Sequence, residues 1–270
     1  MNDCELCKFN NPKGCVTAVI IRDGKLLLLK RNEEPFKGMW DLPGGYMEQN
    51  ELPEEALKRE LKEESGIEEC ELTRIGEFPG TATWKDNKFA VISFAYLADF
   101  KGNVRLNGEN SNFVFKKIDE IDINDIAFDS NVEIVKKVKN DFSFDLERVK
   151  ELTKQLDSTA GVKEQSLYKA VLNGFISKKY DGDKLIGFGW IFPRQTALRK
   201  QAVVEDMIVD ESYRGKNLGA AILEDLIKWA KNQGVEVIEL VTNPKRIAAN
   251  ELYKKYGFTL HPTNHYLYKI

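Results

Sequence analysis

Histidine is nearly absent from this chain. There are two in 270 residues, His261 and His265, both near the C-terminus. A Ser-His-Asp or Cys-His nucleophilic device therefore has little to work with in the first half. Cysteine is scarce too, at four: Cys4, Cys7, Cys15 and Cys70. Cys4-Glu-Leu-Cys7 has zinc-ribbon spacing and Cys15 follows closely, but a tetrahedral site needs a fourth ligand and there is no second Cys-x-x-Cys. No apolar run approaches the length of a membrane span, and the opening MNDCELCKFN lacks the basic and apolar regions of a signal peptide. The expectation is a cytoplasmic protein without disulfides and without a membrane partner. Net charge is −3 and no long basic stripe occurs, so nucleic-acid binding has no electrostatic footprint and is not expected.

What is present is a globular composition, 42% hydrophobic and 31% charged. At 270 residues the chain is long for one ordinary domain and comfortable for two.

The most informative stretch runs from Gly45 to Ile67, GYMEQNELPEEALKRELKEESGI. Glu60, Glu63 and Glu64 lie close together on an expected helix, just after a glycine-rich turn. Runs of acid are usually solvated faces. This cluster repels itself unless a cation neutralises it, which points to a divalent metal. A helix advances about 100° per residue, so Glu60 and Glu64 point nearly the same way and Glu63 lies about 60° to the other side. All three are expected to converge on one patch, with Ala56, Leu57 and Leu61 turned mainly to a core. Pro53 suits a first helical turn and Gly66 the position just past the end. Carboxylates are hard ligands that favour Mg²⁺ or Mn²⁺ over Zn²⁺. Such an ion keeps positions open for phosphate oxygens and water, the equipment for hydrolysing a phosphate anhydride.

The segment resembles the Nudix box at every fixed position: Gly45, Glu51, Arg59-Glu60-Leu61, Glu63-Glu64 and Gly66-Ile67, with Trp40-Asp-Leu-Pro-Gly-Gly45 as lead-in. The resemblance implies metal-dependent cleavage of a nucleoside diphosphate linked to another moiety. It implies metal ligation by Glu60, Glu63 and Glu64 with the backbone carbonyl of Gly45. It also implies that Arg59 pairs with Glu51 and orients the loop. Related pyrophosphatases with a Phe-Asp like Phe128-Asp129 tend to carry a glutamate where this chain has Asn112. That departure leaves the general base open between Glu60 and Glu109.

Along the chain, Val16–Ile21 and Lys25–Leu29 read as strands joined by an Asp23-Gly24 turn. A helix is expected from Pro53, strands at 75–78, 90–97 and 113–115, a turn and short helix at 119–126, and a helix at 131–139. Strands flanked by helices make a mixed α/β sandwich plausible, as the resemblance also implies. The pattern resets near Phe142-Ser-Phe144, which places the domain boundary between residues 1–141 and 142–270. The second half opens with helices at 146–156 and 164–172. A hairpin of 175–180 and 185–192 follows, then an apolar strand at 203–209.

Directly after that strand comes Tyr213-Arg-Gly-Lys-Asn-Leu-Gly-Ala220, a glycine-bearing loop before an apolar helix. Free N–H groups at such a helix start suit a pyrophosphate, and Arg214 and Lys216 add charge. A helix through Trp229, a strand at 235–241 and a helix at 247–256 complete the half.

Residues 203–258 resemble the GNAT N-acetyltransferases, a mixed α/β fold. Arg214-Gly215-Lys216-Asn217-Leu218-Gly219-Ala220 looks like their acetyl-CoA pyrophosphate loop, with Asn217 where a glycine is usual. Asparagine tolerates positive φ better than most residues, so the turn can survive. The tail through Tyr253 and Gly257-Phe258 resembles the family's terminal helix and strand. The resemblance implies acetyl-CoA binding by that loop with Met207, Val209 and Asn250. It implies Glu205 as base, Tyr253 as acid toward sulfur, and the Met207 N–H as polariser of the carbonyl.

The expectation is a bifunctional enzyme. One domain hydrolyses a nucleoside diphosphate derivative, with ADP-ribose preferred on the strength of the Asp129 neighbourhood. The other transfers acetyl from acetyl-CoA to an amine acceptor. The alternatives are a pyrophosphohydrolase that cleanses nucleoside triphosphates, or a nucleotide and acyl-CoA sensor with one inactive domain. Exposed sheet edges in both folds leave room for a homodimer.

Overall fold

In the computed structural model, which describes residues 11–84, 87–266 and 268, contacts divide the chain into two units. One is Met1–Leu146 with Lys163–Leu172, the other Glu147–Val162 with Asn173–Ile270.

The first unit is built on strands whose alternate residues face two different helices. Its elements are β1 (Lys13–Val19), β2 (Ile21–Arg22), β3 (Lys25–Arg31), β4 (Trp40–Asp41), β5 (Gly44–Tyr46), α1 (Pro53–Ser65), β6 (Glu71–Trp84), β7 (Asn87–Asp99), β8 (Asn110–Lys117) and α2 (Asp129–Phe142). One sheet has the order β5-β1-β7-β6, with β1 and β7 parallel and the other pairs antiparallel. A second joins β2, β3 and β4, with β8 on β3. Val16 and Ala18 of β1 pack with Ala56, Leu57 and Leu61 of α1 in one core cluster. Val19 packs with Ile134, Val135 and Val138 of α2 in another. The result is an α/β/α sandwich with one mixed and one antiparallel sheet. Truncating a buried leucine such as Leu57 or Leu61 to alanine costs about 2–5 kcal/mol, so these helices are held chiefly by their apolar stripes.

Strands β6 and β7 run well beyond the expected 75–78 and 90–97. They pair with each other from Glu71↔Asp99 to Trp84↔Asn87. Polar residues such as Glu71, Thr83, Asn87 and Asp99 are carried in these extensions by ladder pairing. The expected turn and short helix at 119–126 is two 3₁₀ turns, Ile118–Glu120 and Ile123–Asp125.

A further helix completes this unit from far along the chain. It is α4 (Glu164–Asn173), which follows α3 (Leu146–Leu156). The Glu164 carboxylate accepts the N–H groups of Asp23 and Gly24 at 2.9 and 2.7 Å, clasping the hairpin turn. Gln165 Nε2 donates to Ile21 O at 2.8 Å. Tyr168, 1% exposed, fills the α2 core against Phe142, with ring centroids 5.5 Å apart.

The second unit contains α3, β9 (Phe175–Asp181), β10 (Lys184–Gln195), β11 (Lys200–Val209), α5 (Leu218–Asn232), β12 (Val237–Leu240) and α6 (Ile247–Lys255). Its mixed sheet has the order β12-β11-β10-β9, with β11 and β12 parallel. Ile222, Leu226 and Ala230 of α5 pack on Ile191, Ala202 and Val204. No strand follows Phe258 among the described residues, contrary to expectation. Leu260 there is fully exposed and Pro262 lacks a ladder donor.

Arg148 fixes α3 within this unit. It is 9% exposed, its Nε donates to Leu185 O at 2.8 Å, and Nη2 pairs with the buried Asp210. The Ser212 hydroxyl and then Arg148 hold the Asp210 carboxyl well below the usual carboxylate range. Breaking a buried pair strands a charge, so Arg148→Met should destabilise this unit by about 3 kcal/mol, read from its urea midpoint. A depressed carboxyl stabilises fully above its unfolded value of about 4, and the gain fades as pH falls through the folded value. Asp210→Asn should therefore remove part of the loss of stability below about pH 4 that the unaltered protein shows.

Candidate active sites

The acidic cluster depends on how α1 begins and on what it abuts. The Glu55 side chain accepts the Leu52 N–H at 2.9 Å to cap the helix, and Gly66 ends it at φ 64°. The turn before it leaves no free room for a side chain. A Cβ on Gly44 would stand 2.0 Å from Val16 O, and one on Gly45 would stand 2.5 Å from the Glu60 carboxyl carbon. The glutamate face of α1 thus lies directly against bare backbone.

Arg59 organises the charges. It holds Glu51 in a two-pronged bond, Nε to Oε1 at 2.9 Å and Nη2 to Oε2 at 3.0 Å, as the resemblance implied. Nη2 also reaches Tyr46 O at 3.0 Å, and Nη1 reaches Glu60 at 2.8 Å and Glu63 at 3.3 Å. Glu64 turns inward and accepts the Gly44 N–H at 2.9 Å. Burial pushes its carboxyl up to about 8, with Asp41, Glu60 and Glu109 adding repulsion. Glu60 is raised as well, mainly by burial.

The three glutamates do not converge as expected. Glu63 is 56% exposed and drawn outward by Arg59. Among the described residues, no three His, Cys, Asp or Glu side chains stand in position to share one ion. The donor chemistry still fits a hard divalent cation. Glu60 and Glu64 are desolvated carboxylates with raised proton affinity, an electrostatic strain that a cation relieves. Asn112 does not replace a missing acid, since its Oδ1 accepts the Phe113 N–H at 2.8 Å. Glu109 acts electrostatically on both Glu60 and Glu64.

Beside this cluster opens a cavity of about 260 Å³, lined in part by Tyr46, Phe128 and the Gly44–Gly45 turn. Its floor is a polar chain that sequence reasoning missed. The Thr17 hydroxyl meets Ser93 Oγ at 2.6 Å and donates to Asn131 Oδ1 at 3.2 Å. Asn131 Nδ2 donates to Asp41 Oδ1 at 2.6 Å, and Arg31 Nη1 donates to Asp41 Oδ2 at 2.9 Å. Burial lifts Asp41 to about 6, against the pull of Arg31. Asp41 lay inside the quoted lead-in to the box and offered the one available signal. Cys15 lines the same cavity, its thiol pushed up to about 12 by burial. Cys4 and Cys7, whose spacing resembles half of a zinc ribbon, lie outside the described residues.

In the second unit, β10 and β11 lose register between Phe188 and Trp190. Asp206, at φ 45°, and Met207 there oppose the single residue Gly189. Such a bulge takes backbone out of the ladder. Beside it lies a cavity of about 500 Å³ whose walls include Glu205, Met207, Val209, Arg214 and Tyr253. The structure thus brings these five expected residues together. Asn217 adopts φ 61°, ψ 12° at the residue just before α5, so the left-handed turn expected of it is present. Leu218, Gly219 and Ala220 form the first turn of that helix. Gly215 and Lys216 are exposed ahead of it, with Lys216 Nζ 4.8 Å from the Tyr213 ring. Arg214 Nε donates to Val209 O at 3.3 Å. Burial raises Glu205 and Tyr253, and Asp206 raises Glu205 further.

Comparison with known proteins agrees with these arrangements. A family model described as the NUDIX domain matches residues 12–138, and one described as the acetyltransferase (GNAT) family matches 141–258. An ADP-ribose pyrophosphatase of Methanocaldococcus jannaschii is 34% identical over 122 residues, 44% of this chain and 69% of that protein. A nucleoside triphosphatase, NudI, of Escherichia coli is 31% identical over 135 residues, 46% of this chain and 92% of that one. An uncharacterized N-acetyltransferase, YobR, of Bacillus subtilis is 32% identical over 92 residues, 34% of this chain but 36% of its relative. The chain therefore spans about a third of that acetyltransferase's length. The chain belongs to the Nudix hydrolase family and carries a GNAT acetyltransferase domain after its Nudix domain. No helix among the described residues is long and apolar enough to cross a membrane.

Gly45→Ala isolates the contact between turn and cluster. The added methyl displaces the flexible end of Glu60 rather than backbone, so the fold should survive. Pyrophosphatase kcat/KM should fall at least about 100-fold while Tm moves by a few degrees. Unchanged kcat/KM would remove Glu60 from the site.

Proposed function

We propose that the chain is a bifunctional enzyme whose Nudix domain hydrolyses a nucleoside diphosphate derivative, with ADP-ribose preferred, and whose GNAT domain acetylates an amine. The proposed domains are residues 1–141 and 142–270, with α4 packed into the first. The observation that carries the first activity is the pair of desolvated carboxylates, Glu60 and Glu64, pressed on the Gly44–Gly45 turn beside a cavity. The name of the 34%-identical relative supports ADP-ribose. A cytoplasmic setting belongs to the same reading.

Glu60 and Glu64, with the Gly45 carbonyl and with Glu63 once it is released from Arg59, would hold Mg²⁺ or Mn²⁺. When bound, such an ion stabilises charge on a phosphoryl oxygen and lowers the pKa of a water. The chain's own groups do the rest. Arg59, tied to Glu51 and Tyr46 O, fixes the turn that presents Gly45. Glu60 or Glu109 takes a proton from the attacking water. The water oxygen bonds to phosphorus, the bridging P–O bond breaks, and the departing phosphate leaves as a monoester.

In the GNAT domain, the amine nitrogen bonds to the thioester carbon and Glu205 accepts its proton. The Met207 N–H polarises the carbonyl, the C–S bond breaks, and Tyr253 protonates the sulfur. The donor, acetyl-CoA, would lie with its pyrophosphate at the 214–220 loop and the start of α5.

A second reading of the Nudix domain, cleansing of nucleoside triphosphates, is favoured by the nucleoside triphosphatase whose length this chain covers almost entirely. Hydrolysis of a nucleotide panel with Mg²⁺ separates the two. The expected result is the highest kcat/KM with ADP-ribose, whereas pyrophosphate release from triphosphates alone would transfer the domain to the second reading. Glu63→Gln and Glu64→Gln should each abolish metal-dependent turnover with circular dichroism unchanged, and full turnover in both would refute the site. Calorimetric titration with acetyl-CoA should give one site per chain. An absence of binding would leave the second domain a scaffold.

A further inference from the structure

Helix α6 reads differently in structure than in sequence. Asn250, expected to touch acetyl-CoA, turns its amide back on its own helix entry, where Nδ2 donates to Asn243 O at 3.1 Å and Arg246 O at 2.9 Å. The wall of the 500 Å³ cavity is formed instead by Arg246, Ala249 and Tyr253. Arg246 is the residue before the first turn of α6, seven positions ahead of Tyr253. Both residues line the same cavity.

The guanidinium is not left to wander. Arg246 Nη2 donates to Leu156 O at 2.9 Å, at the carbonyl end of α3, and Leu156 lines the same cavity. Helix carbonyl ends are unsatisfied and carry partial negative charge, so this is a natural anchor for a cation. Tyr253 packs on Phe258 at 5.9 Å between ring centroids. Burial disfavours its phenolate, and Arg246 is the charge that pulls the other way. The other charged groups on the cavity are Glu205 and Asp206 of β11 with Glu211 and Arg214 beyond it. Arg214 is already paired with Glu211 at 3.4 Å and bonded to Val209 O. Of these charged groups, Arg246 is the one that acts on Tyr253, and it favours the phenolate.

We propose that Arg246 is a positioning residue for acyl transfer: anchored on Leu156, it keeps a positive charge beside Tyr253 and stabilises the anion Tyr253 becomes when it protonates the departing sulfur. This rests on the reading of Tyr253 as the acid. The balance is complete. The C–S electron pair leaves on sulfur, the phenol proton neutralises it, and the phenolate is reprotonated from solvent after the acceptor's proton has passed to Glu205. Arg246 gives up no proton, since a guanidinium stays charged throughout.

The test uses the full chain and separates charge from tether. Arg246→Gln keeps an N–H donor for Leu156 O but loses the charge, and Arg246→Lys keeps the charge. The first readout needs no donor molecule: titration of ¹³Cζ-labelled tyrosines, with the Tyr253 resonance assigned by its loss in Tyr253→Phe. Tyr253 should titrate at higher pH in Arg246→Gln and at its original position in Arg246→Lys. The second readout is thiol release from acetyl-CoA with water as acceptor. Its kcat should fall about tenfold in Arg246→Gln, with KM within twofold, and recover in Arg246→Lys. An unmoved Tyr253 titration in Arg246→Gln overturns the proposal, and so does a loss carried by KM alone. Full thiol release in Tyr253→Phe would sink the reading of Tyr253 itself. Impaired Tyr253→Phe with unaltered Arg246→Gln would sink only the role of Arg246.

Discussion

Carboxylates taken out of water beside a bare glycine turn are the constraint on which the first unit depends. Glu64 is held near a pKa of about 8 by burial and by Asp41, Glu60 and Glu109. Protein interiors do not keep unpaired acids without cost. Arg59 offsets part of the repulsion, yet two of its bonds go to Glu51 and one to the Tyr46 carbonyl. Gly44 and Gly45 permit this closeness, because any side chain there would strike Val16 O or the Glu60 carboxylate. The fold maintains an electrostatic strain, and strain of this kind marks functional sites.

The same logic runs through the second unit with different parts. A bulge in β11 takes the backbone of Asp206 and Met207 out of the ladder beside a cavity. A left-handed Asn217 turns the chain into α5 where glycine is usual. Each is a local departure from regular structure, held in place by ordinary packing around it. The packing of Ile222, Leu226 and Ala230 supplies the rigidity against which the irregular turn is tolerated.

Much of this was legible in the chain. The Gly45–Ile67 pattern made helix α1 legible, with Pro53 in its first turn and Gly66 just past its end, because helix spacing and capping are local properties. The Arg59–Glu51 pair was legible only through the family resemblance. Helical spacing could not reveal that Arg59 draws Glu63 outward, since that is decided by a competing partner. The cavity floor was illegible for another reason. Asn131 meets Asp41 across 90 positions of sequence, and Thr17 meets Asn131 across 114. Short amphipathic α4 gave no sign of which core it would join. That was settled by Tyr168 and by Glu164 clasping the Asp23-Gly24 turn. On α6, the family resemblance pointed to Tyr253 but passed over Arg246, whose place is set by a carbonyl on another helix.

The central claim is that the desolvated acids of α1 are relieved by a divalent cation. Electron paramagnetic resonance of the full chain titrated with Mn²⁺ tests it without any substrate. One bound ion per chain is predicted in the unaltered protein, with that ion lost when Glu60 and Glu64 are both changed to glutamine. Equal Mn²⁺ binding by both proteins, or none by either, would contradict it.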